Sequence, residues 1–403
     1  MISVVVKKGR ARPLWCGHPW LMSGAVARVE GTPADGDVVR VVDADGRAIG
    51  LGFYNAKSQI RVRLLGRAPE ATGDEPSIAK LIGARIERAL SLRRAVGLPS
   101  PQTTGFRVVN AEGDGLPGLT VDRFSNAVVA QVTSLGLWRE RAAIRDAFPD
   151  ANPLVVVAPD DAAEREGIPA PRREVFVPGH APELDGAPSR TTFFENGLTF
   201  VAEPGRGQKT GFFFDQRAAR SLVATVANGA RVLDLFTHTG AFALYTARAG
   251  ARDVTAVDSS GPALLLAREN AKLNGFESIA WVEDDALRFV MERGRAGDAY
   301  DVVIVDPPKL ARRDADVDGA LDRLRRLVAE AMRVVPNGWL LVSSCSAAIS
   351  RDALERAVAI ATNDAARSAQ VVWRGGAGAD HPVIAGHTEG DYLKSLFLRV
   401  TRP

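Results

Sequence analysis

Two apolar runs near the C-terminal end of this 403-residue chain each lead into a side chain that can do chemistry. The first run precedes Asp306-Pro307-Pro308, and the second precedes Cys345. The prolines restrict the backbone around the turn, so they hold the Asp306 carboxylate rigidly at the end of its strand. Cys345 supplies a thiol, which becomes a strong nucleophile once it loses its proton. The spacing predicts a carboxylate and a thiol at the tips of two strands.

Further carboxylates follow apolar runs upstream, in the order typical of a doubly wound sheet that holds a nucleoside. Asp234 ends one run, and Gly240 opens the next helix without a side chain in the way of a ligand. Because this turn has one glycine where a dinucleotide fingerprint has three, a ligand without a pyrophosphate is favoured. Asp258 is predicted to bind ribose hydroxyls, and Asp285 to meet the adenine amino group. S-adenosylmethionine, which is cationic, is the predicted cofactor; the alternative is three carboxylates that cap helices.

The thiol indicates which atom would receive a methyl group. Carbon 5 of a pyrimidine is a poor nucleophile until a thiolate adds to carbon 6 and converts the ring to an enamine. Asp306 is predicted to hydrogen-bond ring nitrogen 3 during that addition, which makes Asp306 and Cys345 the predicted catalytic residues. Methylation of an exocyclic amine is less favoured, because Lys309 stands where an aromatic side chain usually stacks on the base. The alternative is a buried structural cysteine, which is the interpretation we favour for Cys16.

A polar loop at residues 207–217 precedes the predicted sheet. Gln208, Lys209 and Thr210 are predicted to bind the cofactor. Lys209 and Arg217 carry positive charges that can reach either the cofactor carboxylate or an RNA phosphate. A purely structural loop is the alternative.

Positive charge is concentrated at the N-terminal end. Residues 1–67 contain 11 lysines and arginines against five acidic residues, whereas the whole chain has a formal net charge of +3. A polyanion such as RNA would be attracted there, with a solvated basic surface as the alternative. The predicted RNA-binding side chains are Lys7, Lys8, Arg10, Arg12, Arg217 and Lys309.

The cysteine count and hydropathy narrow the class of protein. Two cysteines far apart in the sequence give neither a disulfide framework nor a zinc-binding spacing, so we expect no metal. The chain has no uncharged apolar run of about 20 residues, and no secretory signal is recognisable before Arg12. We therefore expect a cytoplasmic chain without a membrane partner. The oligomeric state stays open, with a homodimer as one option.

The pattern of apolar residues changes twice along the chain and predicts three domains. Short strands separated by turns predict a small β-barrel over residues 1–70. A helix, three strands, a second helix and a fourth strand predict an α+β domain over residues 75–190, with antiparallel pairing. A third domain over residues 191–403 begins with a hairpin at Asn196-Gly197. Its alternating strands and helices predict a parallel sheet that ends in antiparallel edge strands.

Together these motifs resemble, over nearly the whole chain, the bacterial ribosomal RNA cytosine-C5 methyltransferases. The matching stretches are His18-Pro19-Trp20, Ser23-Gly24-Ala25-Val26, residues 207–217, residues 234–240, Asp306-Pro307-Pro308-Lys309, Ser344-Cys345-Ser346, His381-Pro382-Val383 and Glu389-Gly390. The resemblance implies an α/β fold with an N-terminal PUA β-barrel, a central α+β domain and a C-terminal Rossmann-like class I methyltransferase domain. It also implies that large-subunit ribosomal RNA is the substrate, that the PUA barrel binds RNA, and that Cys345 is the nucleophile.

The chain departs from that family at two positions. His238 stands where the family usually has tyrosine, and the Asp-Pro motif lacks the cysteine that other pyrimidine-5 methyltransferases carry there. His381 is predicted to be a hydrogen-bonded scaffold residue, with a base for the carbon 5 proton as the alternative.

Three functions stay open, and we favour methylation of cytosine carbon 5 through a covalent cysteine adduct. The second is methylation of a guanine or an exocyclic amine of RNA without a covalent step. The third is a non-catalytic RNA-binding assembly factor.

Overall fold

A computed structural model describes residues 2–68, 77–184, 190–205, 210–311 and 316–403. The chain divides into two compact units. The first comprises Met1–Asn196, Ala202–Phe213 and Ala379–Gly390, and the second comprises Gly197–Val201, Phe214–Gly378 and Asp391–Pro403. The predicted division into three domains stays a prediction. Within the described ranges, no helix combines the length and the apolar character needed to cross a bilayer.

The N-terminal part of the first unit is a six-stranded sheet with a hydrophobic core of its own. Its elements are β1 (Ser3–Val6), α1 (Arg12–Trp15), β2 (Trp20–Met22), β3 (Val26–Glu30), β4 (Val38–Val42), β5 (Ala48–Tyr54) and β6 (Ile60–Arg67). The strand order is β2-β6-β5-β4-β1-β3. Strand β4 shows how the sequence sets the core, because Val39 and Val41 alternate with less buried residues and point to one face. The short strands β2 and β3 were not predicted.

A second six-stranded sheet, with helices, follows in the same unit. Its elements are α2 (Ile78–Ala95), β7 (Gly105–Asn110), β8 (Leu119–Phe124), β9 (Ala127–Val132), α3 (Leu135–Arg139), α4 (Arg141–Asp146), β10 (Leu154–Val157), α5 (Asp160–Glu166), β11 (Arg173–Phe176) and β12 (Glu183–Leu184). The predicted antiparallel pairing is correct for β7 with β8 and β8 with β9, but β9 and β10 are parallel. The reason is the connection through α3 and α4, which is long enough to carry the chain back to the starting end of β9.

A two-stranded hairpin lies where the chain passes from the first unit to the second. It consists of β13 (Thr191–Glu195) and β14 (Leu198–Ala202), as the sequence predicted. Asn196 and Gly197 both have positive φ values, of 48° and 81°, which the tight hairpin turn requires.

The second unit is built on a seven-stranded sheet in the order β17-β16-β15-β18-β19-β21-β20. Its elements are α6 (Arg217–Ala224), β15 (Arg231–Leu235), α7 (Ala241–Arg248), β16 (Asp253–Asp258), α8 (Gly261–Leu273), β17 (Ala280–Glu283), α9 (Ala286–Arg295), β18 (Val302–Val305), α10 (Val317–Arg333), β19 (Gly338–Ser344), α11 (Arg351–Asp364), β20 (Ser368–Gly375) and β21 (Lys394–Thr401). The strands from β15 to β19 pair in parallel, and β21 pairs antiparallel with β19 and β20. All four residues of β18 are buried, as expected for a central strand covered on both faces. Helix α11 was not predicted.

Candidate active site

The carboxyl ends of the parallel strands of the second unit lie at one edge of its sheet. Asp234 and Asp258 lie at or near the ends of β15 and β16, whereas Asp306 and Cys345 directly follow β18 and β19. Ligands of such sheets bind outside the carboxyl ends of the strands. The structure therefore brings together the four side chains that the sequence placed at strand ends.

The turn after β15 is fixed by two of these carboxylates. Asp234 Oδ2 accepts hydrogen bonds from Thr237 Oγ1 at 2.6 Å and from the backbone N–H of Ala243 at 3.1 Å. Asp258 Oδ2 accepts the backbone N–H of His238 at 2.8 Å. The second oxygen of Asp258 accepts the N–H of Ser260 at 2.9 Å. Each Asp258 oxygen keeps a further lone pair, so this half-buried carboxylate can still accept ligand hydroxyls.

Asp234 Oδ1 is buried and has no hydrogen-bond partner within the described residues. The pKa of Asp234 is raised to about 7. Burial is the largest cause and the nearby charges of Asp306 and Asp258 act in the same direction, whereas the two hydrogen bonds to Oδ2 act against them. A positive group beside Oδ1 would stabilise the ionised carboxylate. S-adenosylmethionine carries cationic ammonium and sulfonium groups, so it fits this donor-poor, acidic site.

Gly240 opens α7 in a conformation that suits glycine. Its φ is +82°, and an added Cβ would lie 2.7 Å from the ring of Trp281 on β17. The close approach of the ring therefore leaves no room for a side chain at this turn. Trp281 was missed by the sequence analysis, although it is an aromatic residue in a predicted strand beside the nucleoside-type turn.

Asp285 is the N-cap residue of the helix that follows it. It precedes α9, and its Oδ1 accepts the backbone N–H of Arg288 at 2.9 Å. Asp285 therefore has the alternative role, that of a helix cap, which the sequence left open for Asp234, Asp258 and Asp285. Asp285 is exposed, and its contact with adenine stays a prediction.

A buried hydroxyl links the two segments that carry Asp306 and Cys345. Ser346 is 1% exposed, and its Oγ accepts the backbone N–H of Ala311 at 3.2 Å. Cys345 itself is half-buried, between the buried Ser344 and Ser346. Cys345 is therefore not a fully buried residue, which the alternative of a buried structural cysteine requires.

Lys394 is a basic residue at this edge for which no role was predicted from the sequence. It begins β21, is 5% exposed, and pairs with Ser344 in the register of β19 and β21. Its Nζ donates to the carbonyl oxygens of Ser346 at 3.4 Å and Tyr392 at 3.3 Å. The polar stretch that contains Lys394 was visible in the sequence, but its strand pairing was not.

The loop at residues 207–217 is described only in part. Gln208 and Lys209 lie outside the described residues. Thr210 is buried in the first unit, where its hydroxyl donates to Asp122. Arg217 begins α6 in the second unit, and its guanidinium lies 5.7 Å from the ring centre of Phe214. The proposed contacts of these residues with cofactor and RNA stay predictions.

The basic residues at the N-terminus are available at the surface of the first unit. Lys7, Lys8, Arg10 and Arg12 are all exposed, within six positions of the chain. Lys309 is exposed in the second unit. Cys16 is exposed as well, so the prediction that it is a buried structural residue is wrong. It directly follows the one-turn helix α1, in which Leu14 is the buried residue.

One cluster in the first unit has the composition of a metal site. His18, His387 and Glu389 bring potential ligand atoms within 4.8 Å of one another. The backbone N–H of Trp20 donates to His18 Nδ1 at 3.2 Å, so the proton of a neutral His18 ring is on Nε2, which faces Glu389 at 3.5 Å. An Nε2 that carries a proton cannot ligate a metal. The cluster is therefore better described as a set of polar contacts around Glu389.

His381 has the surroundings of a scaffold residue. It is buried in the first unit, and its Nδ1 lies 3.0 Å from Asp380 Oδ1. The other oxygen of Asp380 accepts the backbone N–H of Arg107 at 3.1 Å. These contacts favour the scaffold prediction over that of a catalytic base.

Comparisons with known proteins agree with this architecture. Residues 4–67 match a family model of a PUA-like domain, and residues 155–382 match one of an S-adenosylmethionine-dependent methyltransferase. A Shewanella amazonensis relative, "Ribosomal RNA large subunit methyltransferase I", is 36% identical over 408 residues and covers 99% of both chains. A relative of the same name from Aeromonas salmonicida is 33% identical over 405 residues, again with 99% of both chains.

Solved structures share the fold over the full length. A candidate SAM-dependent methyltransferase from Streptococcus mutans has a TM-score of 0.81 at 20% identity, with 99% of this chain and 100% of that chain covered. A second methyltransferase structure, complexed with SAH, gives the same values. The chain therefore belongs to the S-adenosylmethionine-dependent methyltransferase family, uses S-adenosylmethionine as its cofactor, and carries a PUA-like domain at its N-terminal end.

Proposed function

We propose that this chain methylates carbon 5 of a cytosine in large-subunit ribosomal RNA through a covalent adduct on Cys345. The observation that carries the proposal is a half-buried cysteine at the carboxyl edge of the sheet, directly after β19. One hydroxyl, that of Ser346, links its segment to the segment that follows Asp306. Asp306 and Cys345, which the proposed chemistry needs, thus lie on two segments that are joined by a hydrogen bond.

Two further observations support ribosomal RNA as the substrate. The relatives that match 99% of this chain are named as ribosomal RNA large subunit methyltransferases. The PUA-like domain presents four exposed basic side chains, at Lys7, Lys8, Arg10 and Arg12, to which RNA phosphates can bind. We propose that Lys309 and Arg217 contact the RNA from the methyltransferase side. Such a substrate would place the protein in the cytoplasm, and a homodimer stays a prediction.

The cofactor would be held by the residues of the turn after β15 and its neighbours. Asp234 would face the ammonium group, and Asp258 would accept the ribose hydroxyls. Gly240 would contact the cofactor through its backbone, because the Trp281 ring already fills the place of a side chain, and Asp285 would lie near the adenine. Gln208, Lys209 and Thr210 complete the proposed set of cofactor-binding residues.

The chemistry requires Cys345 to act before the methyl group moves. The Cys345 thiolate forms a bond to carbon 6, and the electrons of the ring double bond shift toward carbon 5 and nitrogen 3. The Asp306 carboxyl group, in its protonated form, donates a hydrogen bond to nitrogen 3 and so stabilises the negative charge that develops there. When bound, S-adenosylmethionine supplies an electrophilic methyl group on its sulfonium. After transfer, a base takes the proton from carbon 5, and the bond between Cys345 and carbon 6 breaks to release the thiolate.

The decisive experiment is mass spectrometry of nucleosides from ribosomal RNA that has been incubated with the enzyme and isotope-labelled S-adenosylmethionine. We expect labelled 5-methylcytidine with the wild-type protein. Cys345→Ala should lower its formation by at least about a thousandfold, because removal of a covalent nucleophile costs a factor of this order or more. Cys16→Ala is the matched control, since this exposed thiol belongs to the other unit and should be dispensable.

Two outcomes would contradict the proposal in different ways. Label on a guanine or an exocyclic amine, with full activity in Cys345→Ala, would establish the non-covalent alternative. A calorimetric titration without any binding of S-adenosylmethionine would favour the non-catalytic assembly factor. RNA that contains 5-fluorocytidine adds a direct test, because the fluorine cannot be removed as a proton is, so a denaturation-resistant complex should form with wild type and not with Cys345→Ala.

A further inference from the structure

Lys394 is a buried lysine at the start of the strand that pairs with β19. It is 5% exposed at the start of β21, in a strand whose following residues from Ser395 to Leu398 are buried. A lysine is rarely buried unless its ammonium group has partners, because the loss of hydration is costly. What surrounds the amine therefore indicates its use.

The contacts of Lys394 surround one residue. Its backbone pairs with Ser344, and its amine reaches across to the carbonyl oxygen of Ser346 at 3.4 Å. Cys345 is the residue between these two. The side chain of Lys394 thus lies along the short segment that presents the proposed nucleophile, and its second contact, at 3.3 Å, is the carbonyl oxygen of Tyr392.

The charged groups around the amine are few. Burial lowers the pKa of Lys394, and the positive charge of Arg351 acts in the same direction. The negative charges of Asp391 and of an ionised Cys345 raise the pKa. Arg351 and Asp391 lie 3.8 Å apart and partly neutralise one another. The negative charge of the Cys345 thiolate therefore stabilises the buried ammonium group of Lys394.

We infer that Lys394 is a positioning residue for the nucleophile: its ammonium group holds Cys345 in the thiolate form beside the substrate base. The inference rests on the proposed function, in which Cys345 attacks carbon 6. The proton of the thiol leaves to water before the attack, and Lys394 keeps its three protons throughout. The same ammonium stabilises the thiolate again when the bond to carbon 6 breaks, so both addition and release become easier.

The test measures the thiol itself rather than methyl transfer. In a Cys16→Ser background Cys345 is the remaining thiol, and its rate of alkylation by iodoacetamide is followed from pH 5.5 to pH 10. We expect Lys394→Gln to raise the midpoint of this profile by at least about one pH unit, which slows alkylation by up to about tenfold for each unit at a pH below the midpoint. Glutamine can still donate to both carbonyl oxygens, so a purely structural role would survive the change.

Two further variants sharpen the result. Lys394→Arg keeps the positive charge and should keep a midpoint closer to wild type than Lys394→Gln does. Arg399→Met is the matched control on the same strand, because its guanidinium contacts Asn337 at 2.8 Å and the ring of Trp339 rather than the site. It should leave the profile unchanged.

The inference is overturned by an unchanged midpoint in folded Lys394→Gln. If that variant fails to fold, the wild-type profile decides, since a midpoint at or above the ordinary cysteine pKa of about 8.5 excludes a stabilised thiolate. If Lys394→Gln shifts the midpoint but the wild-type protein forms no 5-methylcytidine in the RNA, the proposed function is overturned and the pairing of Lys394 with the Cys345 thiolate is supported. Loss of 5-methylcytidine in Lys394→Gln with an unchanged midpoint would do the reverse.

Discussion

Asp234 combines complete burial with an oxygen that has no donor within the described residues. Its pKa, raised to about 7, means that the folded chain binds this proton more tightly than the unfolded chain, whose carboxyl has a pKa near 3.8. The folded state is therefore favoured below the lower value, and this advantage is lost as the pH rises through 7. At high pH the ionised Asp234 lowers the free energy of unfolding by at most about 4 kcal/mol, since a shift of one pKa unit corresponds to about 1.4 kcal/mol.

We predict that Asp234→Asn makes the stability of the cofactor-free protein less dependent on pH. Asparagine resembles the protonated acid, so the loss of thermal stability between pH 5.5 and pH 8.5 should become smaller than in wild type. The same change should weaken binding of S-adenosylhomocysteine by about ten- to a hundredfold, because the ammonium group loses its counter-charge. Melting curves at several pH values and calorimetry check the two parts. An unchanged pH dependence together with unchanged affinity would show that Asp234 does not face the ligand.

At the scale of elements, the site depends on how the ends of β18 and β19 are tied together. We predict that Ser346→Ala lowers kcat for methyl transfer by about ten- to a hundredfold with little change in KM for RNA, because Asp306 and Cys345 lose their common support. The N–H of Ala311 would lose its acceptor, which costs about 1–3 kcal/mol of stability. Steady-state kinetics and chemical denaturation measure both effects.

Ser343→Ala provides the comparison for this prediction. The Ser343 hydroxyl is also buried, and it pairs with the hydroxyl of Ser395 at 2.8 Å within the ladder of β19 and β21. Its loss should reduce stability and leave kcat near that of wild type. Equal losses of kcat in the two variants would mean that the effect comes from general destabilisation rather than from positioning.

The elements that the sequence predicted well are those set by local chemistry. The hairpin from β13 to β14 follows from Asn196-Gly197, since few other residue pairs adopt two positive φ values. Helix α11 escaped prediction because three of its seven apolar residues between Arg351 and Asp364 are not buried and the buried set includes two small alanines. Such a helix has a weak apolar stripe. The parallel orientation of β9 and β10 is set by the crossover between them and not by the strands.

The residues of the candidate site also differ in whether local sequence could predict their place. Asp234, Asp258 and Cys345 were predictable because each ends or follows a strand of a parallel sheet, and such ends share an edge. Lys394 was not predictable, since its place beside Ser346, 48 residues earlier in the chain, depends on the antiparallel register of β19 and β21. Trp281 lies on β17 and its ring reaches Gly240 past the intervening strand β16, which the hydropathy pattern does not determine.

At the scale of the whole molecule, ionic contacts buried in the first unit join its two sheets. Glu166, at the end of α5, is 2% exposed and accepts hydrogen bonds from Arg63 at 2.8 Å, Ser58 at 2.9 Å and Asn55 at 3.1 Å. Arg63 lies on β6, and the other two donors lie between β5 and β6. The two predicted N-terminal domains are therefore expected to unfold together.

We predict that Glu166→Ala destabilises the first unit by about 3–5 kcal/mol, because truncation leaves the Arg63 guanidinium buried without its carboxylate. Urea denaturation followed by tryptophan fluorescence measures the change. Asp161→Ala on the same helix is the control, since its pair with Arg165 is exposed and long at 3.8 Å. Equal midpoints in the two variants would contradict the expectation.

The segment Ala379–Gly390 belongs to the first unit although the chain on both sides of it belongs to the second. Arg93, fully buried in α2, donates to the carbonyl oxygen of Asp380 at 2.7 Å, 287 residues further along the chain. During translation, the N-terminal half leaves the ribosome long before this partner has been synthesised. The first unit thus acquires its last internal contacts only after the intervening sheet of the second unit has been synthesised, so a nascent product that stops before Ala379 would retain an unfinished N-terminal core.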